Sequence, residues 1–198
     1  MKFLQGWPLV GTVATLIALP CLAIVLAGGG QVDDLRLVIR ITARTSLVLF
    51  CLAFTAAALA RQWPGTATGW LRRNRRYVGV SFAASHGLHA IAIAAFALAD
   101  PVRFNAQVPL ATLLGGGLAY VLIAAMVATS FNSTAAMIGP RAWKILHTVA
   151  SYYVWIVFFQ GFAKRAVDDP FYLVFTAVVV AAMVIRWMPA ITRRRAAA

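Results

Sequence analysis

Six long apolar stretches dominate the sequence, near residues 8–28, 43–60, 77–98, 109–129, 142–163 and 171–188. A helix needs roughly 20 apolar residues to cross the hydrocarbon core of a membrane, so each stretch is close to the required length. The runs are continuous rather than alternating, and lipid offers no hydrogen-bond partner to an open strand edge. The sequence therefore predicts an all-α integral membrane protein, a six-transmembrane-helix bundle forming one domain over residues 1–198.

The composition argues against the other broad classes of protein. Hydrophobic residues make up 62% of the chain and charged residues 12%, whereas soluble domains average roughly 45–50% and 25%. A disordered chain would need low hydrophobicity and high charge. The first apolar run exceeds the roughly 7–15 residues of a signal-peptide core, so we expect it to be a retained span.

The net charge of +13 is distributed unevenly between the predicted spans. If the N-terminus is cytoplasmic, 12 of the 18 Lys and Arg residues lie on the cytoplasmic side and all five acidic residues on the other. Cytoplasmic loops of membrane proteins are enriched in Lys and Arg. Both termini are therefore predicted to be cytoplasmic. The basic excess then reflects topology and contact with membrane lipid, and no nucleic-acid partner is expected.

All three histidines of the chain fall within predicted spans, His86 and His89 in the third and His147 near the start of the fifth. Ionisable residues at membrane depth are candidates for function, although a neutral imidazole bonded to a neighbouring helix is the alternative. The spans contain no Asp or Glu, which disfavours a hydrolytic zinc site or a proton relay. A b-type haem fits better, because it needs one or two imidazoles beside an apolar slot.

The spacing of the histidines limits how they would bind one iron. His86 and His89 lie ~4.5 Å apart along one helix, so they are not expected to approach an iron from opposite sides. One ligand from each of two helices is expected instead. Depth, counted from the cytoplasmic ends of the spans, favours a pair of His86 with His147.

Arginines near the span ends are candidates for the carboxylates of a haem, because a guanidinium group binds a carboxylate in a bidentate manner. Arg75 and Arg76 precede the third span on the predicted cytoplasmic side. Arg44 lies at the opposite end of the second span. We therefore expect Arg75 and Arg76 to contact the propionates of a cytoplasmic-side haem, and Arg44 those of a haem on the other side.

Three segments carry a family resemblance in the correct order and spacing. They are residues 75–80 (RRYVGV) followed by His89, residues 129–137 (TSFNSTAAM) followed by His147, and residues 42–45 (TART). The segments resemble the third helix, the loop into the fifth helix and the second helix of the ferric reductase-like transmembrane domain family. Within that family they are most similar to the haem-binding membrane subunits of bacterial methionine sulfoxide reductase systems.

The resemblance implies an integral b-type cytochrome of a bacterial inner membrane, an electron-transfer subunit of an oxidoreductase rather than a self-contained enzyme. It also implies haem ligation by His89 and His147, which leaves His89 and His86 as alternative partners of His147. The family places a second fifth-helix histidine where this chain has Gln160, and an amide is a poor haem ligand. One haem b is therefore expected, and a second is left open.

The same resemblance implies partners. Electrons would come from quinol or a cytoplasmic flavin reductase, so quinone or flavin are further candidate cofactors. The acceptor would be a periplasmic molybdenum-containing reductase. Two alternatives stay open at this point: a stand-alone transmembrane reductase of ferric iron or another small acceptor, and a non-haem assembly or transport protein built on the same bundle.

Overall fold

A computed structural model describes residues 4–188, which are helical almost throughout. The helices are α1 (Gly6–Gly28), α2 (Val32–Gln62), α3 (Thr66–Ala99), α4 (Pro101–Gln107), α5 (Leu110–Ala128), α6 (Asn132–Asp168) and α7 (Tyr172–Trp187). Within this part of the chain, α1, α2, α3, α5 and α6 are long and apolar enough to cross a membrane, and α7 is a shorter apolar helix. An all-helical membrane protein is thus confirmed, whereas the count of six spans stays a prediction.

Several helical segments lie outside the predicted spans, and two of them, at the starts of α2 and α4, have polar start signals. α2 begins well before residue 43, and Asp34 in its first turn accepts a hydrogen bond from the Gln31 backbone N–H at 3.0 Å. α4 was not predicted. Its start has Asp100 accepting from the Arg103 backbone N–H at 2.9 Å and Pro101 in the first turn, the arrangement that favours a helix N-terminus. Apolar length alone does not detect such polar helical ends.

Two hydrogen bonds between helix ends mark one end of the bundle. The backbone N–H of Gly6, at the start of α1, donates to Asn74 Oδ1 near the start of α3 at 3.1 Å. Gln62 at the end of α2 donates to Met188 O after α7 at 2.9 Å. We call this end the N-terminal face and the opposite end the distal face. The side of the membrane that each face occupies stays a prediction, and Lys2 and residues 193–195, on which it partly rests, lie outside the described residues.

The most extensive helix packing in the described bundle is between α2 and α3, and it uses small hydroxyl side chains. Ser46 and Ser85 are fully buried, and their Oγ atoms lie 2.9 Å apart. Thr45 Oγ1 also lies 2.9 Å from Ser85 Oγ. Small residues allow membrane helices to approach closely, and each hydroxyl finds a partner. This contact fixes the rotation of α3, the helix that carries His86 and His89.

The helix α6 bends at Gly139, where φ is 76° and ψ is 164°. This conformation is accessible essentially only to glycine. We expect Gly139→Ala to lower the free energy of unfolding by about 1–3 kcal/mol, measured by denaturation in detergent. The matched control is Gly116→Ala in α5, where an added Cβ meets nothing within 4 Å and stability should be unchanged or slightly higher. Equal stability of the two variants would contradict the strain at Gly139.

Candidate functional site

His89 is held by α2 through one ring nitrogen. Its Nδ1 lies 3.1 Å from Ile39 O and 3.1 Å from Thr42 Oγ1. The Thr42 hydroxyl donates its own proton to Val38 O at 2.7 Å, so towards His89 it is an acceptor. Nδ1 therefore carries the hydrogen and Nε2 keeps its lone pair. A metal-binding imidazole typically has this arrangement, with the second nitrogen donating to a carbonyl oxygen.

His86 lies in a stack of three rings. Its ring centroid is 5.2 Å from that of His89 and 4.8 Å from that of Tyr120. Among the described residues, neither Nδ1 of His86 nor the hydroxyl of Tyr120 has a hydrogen-bond partner, although both atoms are buried. Buried polar atoms are normally satisfied, so these two mark a place where a further polar group would be accommodated. We call His86, His89 and Tyr120 the distal cluster.

His147 lies towards the N-terminal face. Its ring stacks on Trp143 with centroids 4.2 Å apart, and its Nε2 lies 3.0 Å from Thr129 Oγ1. The Thr129 hydroxyl donates to Ala125 O at 2.8 Å, so it accepts from Nε2–H of His147. The other ring nitrogen, Nδ1, then carries the lone pair. His147 is therefore fixed by two neighbours and keeps one nitrogen available as a ligand.

A cleft of about 270 Å³ opens beside His147, between α2, α3, α5 and α6. Its polar lining residues are Arg75, Arg76, Thr129, Ser130, His147 and Ser151. The rest of the wall is apolar: Phe50, Ala53, Phe54, Gly79, Phe82, Ala83, Ile123, Met126, Val127, Ala135 and Trp143. Arg75 Nε donates to Ala53 O at 3.1 Å, and Arg76 donates to Asn132 Oδ1 at 2.8 Å. In the described part of the chain no carboxylate pairs with either arginine. The cleft therefore suits a largely apolar ligand that carries negative charge.

Three phenylalanines separate the cleft from the distal cluster. The ring of Phe50 lies 5.5 Å from that of Phe82 and 5.4 Å from that of Phe158. The His86 ring lies 5.7 Å from the Phe158 ring. Phe158 follows His147 by eleven residues, which is ~16 Å along a helix. In this arrangement no contact is found between His147 and His86 or His89, so each level of the bundle is considered separately as a ligand position.

Arg44 and Gln160 also lie away from these two sites. Arg44 is on the side of α2 that carries the exposed Val48 and Leu52, and its guanidinium group contacts rings at the start of α7. Gln160 is exposed on α6. The described contacts of Arg44 include no histidine. They therefore do not support the role expected from the sequence, which was pairing with the propionates of a haem on the distal side.

The sequence reasoning missed the residues that orient the histidines. Thr42 and Thr129 lie in the segments that carried the resemblance, but their hydrogen bonds depend on which helices meet. Nothing in the sequence, apart from its position in an apolar span, pointed to Tyr120 as a functional residue. Among the described residues no three His, Cys, Asp or Glu side chains are grouped to hold a metal ion. A metal at these sites would thus need ligands of the cofactor itself, as in a porphyrin.

Comparisons with known proteins give one distant relationship. The chain is 29% identical over 126 residues to the protein-methionine-sulfoxide reductase heme-binding subunit MsrQ of Polaromonas naphthalenivorans (strain CJ2), covering 62% of this chain and 57% of that protein. The chain thus matches little more than half the length of this relative. No protein-family profile matches the chain, and no solved structure matches it. The resemblance carried by the motifs is confirmed at this level: the chain is a distant relative of the MsrQ heme-binding subunits.

Proposed function

We propose that this chain is a multi-pass membrane cytochrome b that transfers electrons as a subunit of an oxidoreductase. The observation that carries the proposal is the cleft at the N-terminal face, which combines one imidazole, two guanidinium groups without carboxylate partners and apolar walls. A haem has the matching chemistry, a flat apolar ring with two carboxylates and an iron that binds imidazole. The distant relative is named as a haem-binding subunit, which supports the same assignment.

Five residues of the cleft have individual roles in this proposal. His147 supplies the imidazole, and Trp143 and Thr129 hold its ring in one orientation. Arg75 and Arg76 pair with the two propionates. A bound haem supplies one-electron transfer, and the apolar walls keep water from the iron and help to set its potential.

The distal cluster is proposed as a second iron-binding position. His89 is the better candidate for ligand, because its Nδ1 is bound to α2 and its Nε2 is free to coordinate. His86 is the alternative, since its Nδ1 has no partner. A haem at each level would give electrons a route from one face of the bundle to the other, past the phenylalanines that lie between.

The direction of transfer follows from the charge distribution. We propose that the N-terminal face, which carries Arg72, Arg73, Arg75 and Arg76, is cytoplasmic and that α7 is the sixth span. Quinol or a cytoplasmic flavin reductase would then donate electrons at this face. The acceptor would be a periplasmic oxidoreductase, proposed to contain molybdenum, and the relative's name as a subunit of a methionine sulfoxide reductase supports a partner of this kind.

The first test is optical. The full chain purified in detergent is expected to show a Soret band, a reduced-minus-oxidised spectrum after dithionite, and a pyridine haemochrome of the b type. A preparation without a Soret band, even after expression with added haem precursor and incubation with haem, would overturn the cytochrome proposal.

Neutralising the two arginines of the cleft should weaken haem binding. In the double variant Arg75→Gln with Arg76→Gln we expect a loss of roughly tenfold in haem affinity, because hydrogen bonds to charged groups contribute about 1.5–3 kcal/mol. Haem titration followed in the Soret region measures it. The matched control replaces the exposed Arg72 and Arg73, which do not line the cleft. Equal losses in both double variants would show a general charge effect and contradict the propionate assignment.

A further inference from the structure

A second crevice lies outside both proposed haem positions, on the surface of the bundle between α1 and α2. It has a volume of about 330 Å³ and is lined by Val13 and Ile17 of α1 and by Arg44, Thr45, Val48 and Leu49 of α2. Arg44 is the one charged side chain in this lining, and because almost all of the exposed lining surface is apolar, Arg44 lines the crevice with its aliphatic stem. Its guanidinium group lies against the rings at the start of α7. A crevice of this kind, in a helix pair expected to face lipid, fits a hydrocarbon chain.

Arg44 has no anionic partner among residues 4–188. Its Cζ lies 5.1 Å, 5.6 Å and 5.3 Å from the ring centroids of Phe171, Tyr172 and Phe175 at the start of α7. Its one hydrogen bond to a side chain is to the Tyr172 hydroxyl, at 3.4 Å. Nε is buried and has no partner among the described residues. The ion pairs of the described residues use other arginines, so the neighbours described for the Arg44 guanidinium group are ring faces and the Tyr172 hydroxyl.

The two features meet at one level of the membrane. Arg44 lies at the distal end of the apolar part of α2, and the exposed Arg40 lies one helical turn further out. From Arg44 the crevice runs along Val48 and Leu49 towards the middle of the bundle. Val13 and Ile17 form its other wall. A phospholipid has the same order of groups, an anionic phosphate at the boundary and an acyl chain directed inward. Guanidinium groups bind phosphate oxygens in a bidentate manner.

We propose that Arg44 and this crevice form a specific site for an anionic phospholipid in the leaflet at the distal face. The phosphate would contact the terminal nitrogens of Arg44, with Arg40 adding a second cation, and one acyl chain would lie along Val48 and Leu49. The aromatic rings of α7 hold the guanidinium group in place by cation–π contacts. The bound lipid would thereby connect α1, α2 and α7. This proposal does not depend on haem binding.

The test compares two lipids on the purified full chain. Phosphatidylglycerol added to the detergent-solubilised protein is expected to raise its Tm and to remain bound in native mass spectrometry, whereas phosphatidylcholine does neither. In Arg44→Gln we expect the apparent affinity for phosphatidylglycerol to fall roughly fivefold, since one cation near a lipid phosphate contributes about 1 kcal/mol. Arg72→Gln, the same charge change at the N-terminal face, is the matched control and should keep the wild-type response.

Unchanged binding of phosphatidylglycerol in Arg44→Gln would overturn the proposal. A second variant, Val48→Trp, keeps the charge and fills the crevice, and it serves even if Arg44→Gln does not fold. It should lose the preference for phosphatidylglycerol over phosphatidylcholine, and retention of that preference would also count against the site. A third arm uses soluble glycerol 3-phosphate. If it raises the Tm as much as the lipid does, the site binds a free anion and the lipid assignment is wrong.

Discussion

Replacing His147 by alanine is expected to remove most of the haem from the N-terminal-face cleft, lowering its haem-to-protein ratio by more than about tenfold. Loss of a residue that merely orients a metal ligand already costs 10–100-fold in affinity, and His147 is the one imidazole that lines this cleft. The ratio is measured by pyridine haemochrome against total protein. Imidazole added to the variant should restore part of the haem, because the alanine leaves room for a free ligand.

The control for this variant is Trp143→Phe. It keeps an aromatic ring against His147 but removes the Nε1–H that donates to Thr129 O at 2.9 Å. Haem should be retained, with a shifted midpoint potential, because the ligand is present while its support is weakened. If His147→Ala holds as much haem as the wild type, the cleft is not the haem site. Loss of haem from His147→Ala without imidazole rescue, together with a lowered Tm, would indicate a structural role instead.

Replacing His89 by alanine is the second change expected to have a large effect. Because Nε2 of His89 is the free ligand atom of the distal cluster, His89→Ala should abolish a second component in a spectroscopic redox titration while leaving the His147 component in place. Thr42→Val, which removes one of the two acceptors of Nδ1–H, should keep this component and shift its potential, since Ile39 O still accepts.

The comparison variant is His86→Ala, on the same helix and in the same ring stack. It should retain the distal component. Loss of that component in His86→Ala with retention in His89→Ala would reverse the ligand assignment and contradict the argument from the tautomer of His89. A wild-type protein that shows one redox component, lost entirely with His147, would contradict a distal haem altogether.

The limits of the sequence reasoning are clearest for Arg44 and the histidines. Arg44 follows Thr42 by two residues, and the two side chains leave α2 on nearly opposite sides, one towards His89 and one towards α7. The sequence identified Arg44 as a propionate partner because it lies at the correct end of a span. Its direction depends on the rotation of α2, which the Ser46–Ser85 contact with α3 sets.

The sequence by itself determined that this protein is an apolar helical membrane bundle with three candidate imidazoles, because apolar length and charge are local properties of the chain. Only the tertiary structure decided that Trp143 and Thr129 orient His147 beside two arginines, that His86 and His89 lie beyond a layer of phenylalanines, and that Arg44 faces an apolar crevice. Those relations depend on the relative rotation and level of different helices. Packing between helices fixes them, and the apolar pattern of any one helix does not.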